Sequence, residues 1–185
     1  MARYAYKMFN KDLTCTKGKG IFQYDPGVWY EEEEANCVRN GFHCAENPLD
    51  CLSYYPDWDK SVCYQVEIGG DVDEDARDSK ISCTRIRLVR KLTLENFVLE
   101  ACTYIIDHPH VQNAPCVKLE EGSTGGNPFV IVRGRNPKAK GKKGDIIAIL
   151  QNDEKGEIMA AGMYKVGEKG NVPGFWYDAY GRIVQ

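Results

Sequence analysis

The stretch from Asn40 to Pro56 constrains the fold more than any other part of the chain. Gly41 permits an abrupt change of chain direction before a short strand. Asn47 is placed to cap a helix whose first residue, Pro48, has no amide hydrogen to satisfy. Pro56 ends that helix because the residue before a proline avoids the helical region. The stretch therefore predicts a strand, a turn and a short helix in one compact unit.

The same stretch contains four candidate binding residues, His43, Glu46, Tyr54 and Tyr55. Together they supply an imidazole, a carboxylate, two hydroxyls and two aromatic faces, which suit a nucleotide or a peptide anchor equally. Cys44 points to the opposite face of the strand from His43 and so cannot be its nucleophilic partner. The alternative interpretation is structural, with a simple helix cap and both tyrosines at the edge of the core.

The composition excludes several classes of protein. The chain has 185 residues and a formal net charge of -3, so it can form one good core but has no general attraction to nucleic acid. No apolar run approaches the roughly 20 residues that span a bilayer, and the first residues lack the apolar core of a signal peptide. We therefore expect a cytoplasmic protein that neither enters a membrane nor binds nucleic acid.

The eight cysteines are expected to be reduced thiols, because nothing in the sequence directs the chain to an oxidising compartment. No two of them form a Cys-x-x-Cys pair, which disfavours a zinc ribbon or finger. Those in apolar surroundings, such as Cys51 and Cys63, are predicted to pack as small hydrophobic residues. The sequence predicts neither a metal site nor a resident cofactor.

The hydrophobic pattern predicts an α+β fold that is mostly antiparallel β-sheet, with one short and one long helix, followed by a C-terminal β-meander. The long helix should begin after its cap, Thr93, and run to about Asp107. We expect an α+β part over residues 1–112, a flexible connection over 113–127 and a β-meander over 128–185 packed on the first part. The connection is inferred from its small, polar and turn-forming residues.

One basic cluster lies in the C-terminal part, where it alternates with glycine, asparagine and proline. This pattern predicts a long hairpin loop that contacts phosphates or an acidic protein surface. The alternative is a solvated loop with no partner. The members of the cluster are Arg133, Arg135, Lys138, Lys140, Lys142 and Lys143.

Three motifs carry a resemblance to a known family: Tyr6-Lys7-x-Phe9, Phe22-Gln23-Tyr24 and Gly41-Phe42-His43-x-x-Glu46-Asn47-Pro48. They resemble an uncharacterised domain family found widely in bacteriophages and prophages. The resemblance implies a phage origin and a host-interaction or anti-defence role, either by blocking a host protein or by binding a nucleotide signal. The candidate ligand-binding residues are then Lys7, Gln23, His43, Glu46, Asn47, Tyr54 and Tyr55.

A second resemblance is to ADP-ribosyltransferases of the poly-ADP-ribose polymerase type, carried by Gly41-Phe42-His43-Cys44-Ala45 and Tyr54. It implies NAD as cosubstrate, with His43 in place of the family's triad tyrosine and Tyr54 on the nicotinamide face. Lys7 stands near the position of the first-strand histidine or arginine, and Glu157 is the candidate for the glutamate that stabilises the oxocarbenium charge. The leading hypothesis is a binding protein, and the alternative is such a transferase.

Overall fold

The computed structural model describes residues 2–18, 20–37, 39–74 and 78–185. The chain divides into two compact units, residues 1–97 and 98–185. Most strands within the described ranges pair antiparallel, and a single α-helix accompanies them. The predicted α+β class is thereby confirmed. No helix in these ranges is long and apolar enough to cross a bilayer.

The first unit is built mainly from one sheet. The described strands of this unit are β1 (Arg3–Asn10), β2 (Thr14–Gly18), β3 (Gly20–Gln23), β4 (Trp29–Glu31), β5 (Phe42–Ala45), β6 (Ser61–Glu74) and β7 (Lys80–Lys91). Strand β1 pairs with β6, β6 with β7, β7 with β5 and β5 with β1, so these four strands form a closed ring. Strand β4 extends the sheet on β7. One hydrophobic cluster contains buried side chains from all four strands of the ring.

Strands β2 and β3 form a separate two-stranded hairpin. Phe22 of this hairpin packs edge-on against Phe42 of the ring, with ring centroids 5.8 Å apart. The ring centroid of Phe22 also lies 4.7 Å from that of Tyr24, which is buried in the core of the unit. Aromatic contacts therefore hold the hairpin against the ring.

The predicted short helix is a 3-10 helix over Pro48–Ser53. Its cap is the predicted one, because the Asn47 side chain accepts a hydrogen bond from the Leu49 amide at 3.1 Å. A second 3-10 helix covers Trp58–Lys60. The long helix α1 spans Leu94–Asp107, and the Thr93 hydroxyl caps it as expected.

The second unit contains the strands β8 (Val117–Ser123), β9 (Phe129–Lys140), β10 (Ile146–Asn152), β11 (Ile158–Lys165), β12 (Trp176–Tyr177) and β13 (Ile183–Val184). Strand β9 pairs in parallel with both β8 and β10, while β10 and β11 pair antiparallel. The predicted β-meander is therefore wrong for this sheet, since a meander contains only antiparallel neighbours. Isoleucines and valines of β9 and β10 pack with Val166, Tyr177 and two alanines in a core of the unit.

Two local predictions in this region are corrected. The segment 113–127, predicted to be a flexible connection, contains strand β8, and the two units divide earlier, at 97/98. The basic cluster is predicted on a hairpin loop, but Arg133, Arg135, Lys138 and Lys140 all lie on strand β9. Asn136-Pro137 resembles a turn signal, yet the strand continues through it.

Candidate functional site

A cavity of about 490 Å³ lies in the first unit, between the hairpin β2–β3, strand β5 and the 3-10 helix at Pro48–Ser53. This volume is within the range of small-molecule sites. Its lining is rich in aromatic and basic side chains: Phe22, Tyr24, Phe42, Tyr54 and Tyr55, with Lys7, Lys17, Arg39 and Lys80. Four of the predicted ligand-binding residues, Lys7, His43, Tyr54 and Tyr55, are brought together here.

Lys7 is the most unusual residue of the cavity, because this lysine is only 7% exposed. Strand alternation places it on the same face of β1 as the buried residues Ala5 and Phe9. Its amine donates to the His43 carbonyl at 2.5 Å and lies 5.6 Å and 5.7 Å from the Phe9 and Tyr24 ring centroids. Within the described part of the chain, no carboxylate forms an ion pair with it.

His43 is half-buried on strand β5. Burial, together with the nearby positive charges of Lys7 and Lys80, lowers the pKa of His43 below its ordinary value. An imidazole with a lowered pKa is neutral at pH 7. His43 therefore contributes hydrogen-bonding groups to the cavity rather than a further positive charge.

The two tyrosines differ in exposure. Tyr54 is 44% exposed, and the Lys80 amine lies 5.4 Å from its ring centroid. Burial opposes the charge of Lys80, but hydrogen bonds with Tyr54 and Asp78 raise the pKa of Lys80 overall. Tyr55 is buried, and its hydroxyl donates to the Cys15 sulfur at 3.6 Å. Burial and this hydrogen bond raise the pKa of Tyr55, so its hydroxyl keeps its proton.

Three predicted ligand-binding residues have contacts outside the cavity. Glu46 forms an ion pair with Arg3 at 2.6 Å. Asn47 caps the 3-10 helix. The Gln23 side chain donates to the backbone carbonyls of Asp12 and Tyr24. Each of these side chains serves a contact within the fold, and none of the three lines the cavity.

Gly41 fixes the start of β5 and hence the position of His43. Its φ is +82°, and a Cβ there would lie 2.5 Å from Ser82 Oγ and 3.1 Å from the Cys83 carbonyl. We expect Gly41→Ala to lower the free energy of unfolding by about 2 kcal/mol or more, because left-handed backbone strain adds to the crowding. Denaturant unfolding followed by tyrosine and tryptophan fluorescence measures this loss.

The matched control for this substitution is Gly20→Ala in the hairpin. Gly20 also has a positive φ, +92°, but a Cβ at this position would have no atom within 4 Å of it. The control therefore carries the backbone strain without the crowding. Equal losses of stability in the two variants would contradict the assigned role of the space around Gly41.

The predicted basic cluster is only partly a surface patch. Arg133 is 5% exposed and donates to Asn113, Asn152 and the carbonyls of Pro109 and Gly156. Arg135 forms an ion pair with Glu154 at 3.0 Å. The other four members lie on β9 or in the turn after it: Lys138, Lys140, Lys142 and Lys143. The amines of Lys138 and Lys140 lie 5.1 Å and 4.4 Å from the Trp176 ring centroid.

Glu157, the candidate catalytic glutamate, belongs to the second unit. Its carboxylate lies 2.7 Å from His110 Nε2 in that unit. His43 and Tyr54, its proposed partners, belong to the first unit and line the cavity. Within the residues that the structure describes, no group of three or more His, Cys, Asp or Glu side chains is arranged to hold a metal ion.

Sequence reasoning missed several cavity residues, chiefly Cys15, Lys17, Phe22, Arg39 and Lys80. Cys15, Lys17 and Phe22 reach the cavity because the hairpin β2–β3 packs against the ring, a contact that no local pattern encodes. Lys80 reaches it because β7 pairs with β5. The inward position of Lys7 could have been found, since it follows from the period of two along β1.

The fold and the cavity together define a small α+β protein whose first unit contains a cavity lined by cations and aromatic rings. The chain belongs to the family of a domain of unknown function, DUF7666, whose family model matches residues 3–100. The predicted membership of an uncharacterised domain family is thus confirmed. Comparisons with curated proteins and with solved structures gave no significant match.

Proposed function

We propose that the first unit binds an anionic, nucleotide-like small molecule in the cavity. The observation that carries this proposal is the buried amine of Lys7, which has a carbonyl and two aromatic rings around it but no carboxylate among the described residues. A buried positive charge is costly unless it is paired. An anionic ligand in the cavity would supply the missing partner.

The other lining residues support a ligand that is both charged and aromatic. Lys17, Arg39 and Lys80 add positive charge around the same space. Of the two carboxylates that line it, Glu32 and Asp50, the latter already accepts hydrogen bonds from the Ser79 amide and hydroxyl. Lys80 also pairs with Asp78 at 3.2 Å. The four lining cations outnumber the two lining carboxylates, and this excess suits phosphate groups.

The exposed aromatic side chains supply the second half of a nucleotide site. Tyr54 is 44% and Phe22 38% exposed, and both line the cavity. Stacking a base on an aromatic side chain contributes about 1–3 kcal/mol. A ligand with phosphate near Lys7 and a base against Tyr54 or Phe22 would use both features.

This proposal favours binding over turnover. The ADP-ribosyltransferase alternative uses His43 and Tyr54, which the cavity brings together, but it also needs a glutamate beside the ribose. Glu157, the glutamate that the resemblance assigns to this role, is paired with His110 in the second unit. NAD is accordingly tested as a ligand, and release of nicotinamide would support the ADP-ribosyltransferase alternative.

The biological role that we attach to this binding is the one that the resemblance to phage proteins implies. A phage-encoded protein that binds a nucleotide signal in the host cytoplasm would act against host defence. The cavity supports this version of the host-interaction hypothesis, because a protein that blocks a host protein needs no cavity of small-molecule size.

The test is a thermal-shift screen of the purified chain against NAD, ADP-ribose and cyclic nucleotides, with uncharged nucleosides for comparison. A ligand at a hundredfold excess over its Kd stabilises the folded state by about 2.7 kcal/mol. We expect a shift with at least one phosphate-bearing ligand and a weaker one with its nucleoside. Absence of any shift would contradict the proposal and would direct the search to a host protein partner.

Tyr54→Ala tests the placement of the base. Loss of one stacking face should weaken binding by roughly 5- to 100-fold, measured by titration calorimetry. The matched control is Tyr4→Ala, because Tyr4 is 50% exposed on β1 and does not line the cavity. Equal affinities in the two variants would place the base elsewhere.

A further inference from the structure

Cys15 differs from the other two cysteines that line the cavity. Cys44 and Cys51 are fully buried, and burial raises the pKa of Cys51 to about 12, while a hydrogen bond with Cys83 and burial raise the pKa of Cys44. Cys15 lies on the hairpin and is only half-buried. It is therefore a cavity thiol that a molecule entering from solvent can reach.

The surroundings of Cys15 favour its thiolate form. Burial opposes the negative charge, but the positive charges of Lys7 and Lys17, a backbone N–H and the Tyr55 hydroxyl together lower the pKa of Cys15. The Tyr55 hydroxyl donates directly to the sulfur. The thiolate is the nucleophilic form of cysteine, and such electropositive, partly exposed positions are where reactive cysteines are found.

An independent feature of the cavity indicates which reagents reach this sulfur. The buried charge of Lys7 has no carboxylate partner among the described residues, and Lys17, Arg39 and Lys80 line the same space. A cavity whose lining cations outnumber its carboxylates raises the local concentration of small anions. Small anionic electrophiles should therefore accumulate beside Cys15.

We propose that Cys15 is a thiol modification site that reacts with anionic low-molecular-weight disulfides of the glutathione class. The Cys15 thiolate attacks one sulfur of the disulfide, and a new S–S bond forms as the original one breaks. The other half leaves as a thiolate and takes a proton from water. The disulfide is thus the oxidant, and no further reagent is needed.

This modification regulates the cavity on which it occurs. A glutathionyl group on Cys15 occupies the space near Lys7 and places its carboxylates among the lining cations. In this respect the inference rests on the proposed function, since the modified protein would no longer accept the nucleotide-like ligand. Reduction by a free thiol restores the cavity, because the exchange is reversible.

The experiment treats the reduced full chain with glutathione disulfide and, in parallel, with cystamine, a cationic disulfide. Intact mass and peptide mapping measure the rate and the position of modification. We expect a single glutathionyl group on Cys15, formed on the order of tenfold faster than the cystamine adduct. Modification chiefly at another cysteine, or equal rates with the two disulfides, would overturn the inference.

Three variants make the result specific. Cys15→Ser should abolish the adduct, whereas Cys37→Ser should leave it unchanged, because Cys37 is also half-buried but does not line the cavity. Tyr55→Phe should slow the reaction while the melting temperature shows that the fold persists. A Tyr55→Phe rate equal to that of the parent chain would remove the assigned role of the hydroxyl.

The outcomes separate this inference from the proposed function. Nucleotide binding is measured on Cys15→Ser, which cannot be modified at that position. Modification of Cys15 without any nucleotide binding would retain the modification site and reject the proposed ligand. Nucleotide binding without selective modification of Cys15 would retain the proposed ligand and reject the modification site.

Discussion

Replacing Arg133 by methionine is expected to lower the free energy of unfolding of the second unit by about 3 kcal/mol or more. Arg133 is 5% exposed, and its guanidinium donates to two asparagine side chains and two backbone carbonyls. Methionine fills much of the same space but removes the Arg133 donors. The Gly156 carbonyl keeps a hydrogen bond from the Asn152 amide at 3.2 Å, while the other three acceptors lose the one that Arg133 supplies. An unsatisfied buried group costs about 1–3 kcal/mol. Arg133→Lys should also lower the free energy of unfolding, because lysine cannot reproduce the planar fork of guanidinium donors.

Amide hydrogen exchange resolved to peptides of β9 and β10 measures this loss in the second unit itself. The control is Arg135→Met, two residues along the same strand. Arg135 pairs with Glu154 at the surface, and an exposed ion pair contributes about 0–1 kcal/mol. Similar protection of the amides in the two variants would contradict the structural role of Arg133 and would support its predicted place in a basic surface patch.

Replacing Lys7 by methionine has the second large expected effect, and it falls on binding rather than on folding. A hydrogen bond to a charged group contributes about 1.5–3 kcal/mol, so affinity for a phosphate-bearing ligand should fall roughly 10- to 100-fold. The free energy of unfolding without ligand should stay the same or rise. A buried charge without a carboxylate partner gains little from the fold, and apolar replacements of buried charges are often neutral or stabilising.

Calorimetric titration and denaturant unfolding of the same variant measure the two effects separately. Lys11→Met is the matched control, because Lys11 is an exposed lysine in the turn after β1. A large loss of stability in Lys7→Met with unchanged affinity would show that the amine serves the core and would overturn its assignment to a ligand.

Much of the local structure could be predicted from the sequence. The Asn47 and Thr93 caps, the short helix after Pro48 and the long helix to Asp107 all follow from signals within a few residues. Such signals act on the backbone nearby, so they do not depend on the rest of the fold. The prediction of the short helix does not include its 3-10 geometry, because the same signals precede helices with i to i+3 and with i to i+4 hydrogen bonds.

Strand partners could not be predicted in the same way. The parallel pairings of β9 with β8 and β10 join segments whose hydrophobic patterns are equally compatible with antiparallel neighbours. The sequence places Arg133 in a basic surface cluster, because charge alone does not show whether a guanidinium is buried and fully hydrogen-bonded.

The candidate site was predictable only in part, for the same reason. His43, Tyr54 and Tyr55 lie close in sequence, so one motif identified them together. Cys15 and Lys80 join them through the hairpin and through the pairing of β5 with β7. Glu46 and Gln23, although close to cavity residues in sequence, form contacts within the fold instead.

The closed ring of β1, β6, β7 and β5 and the separate hairpin β2–β3 differ in how freely their residues can change during evolution. A substitution on the ring alters ladder pairing and core packing, so most changes there reduce stability. A substitution at an exposed hairpin position, such as Lys17, changes what the cavity accepts at a smaller cost to folding. Relatives can therefore diverge in what they accept through a few hairpin residues while they inherit the same ring.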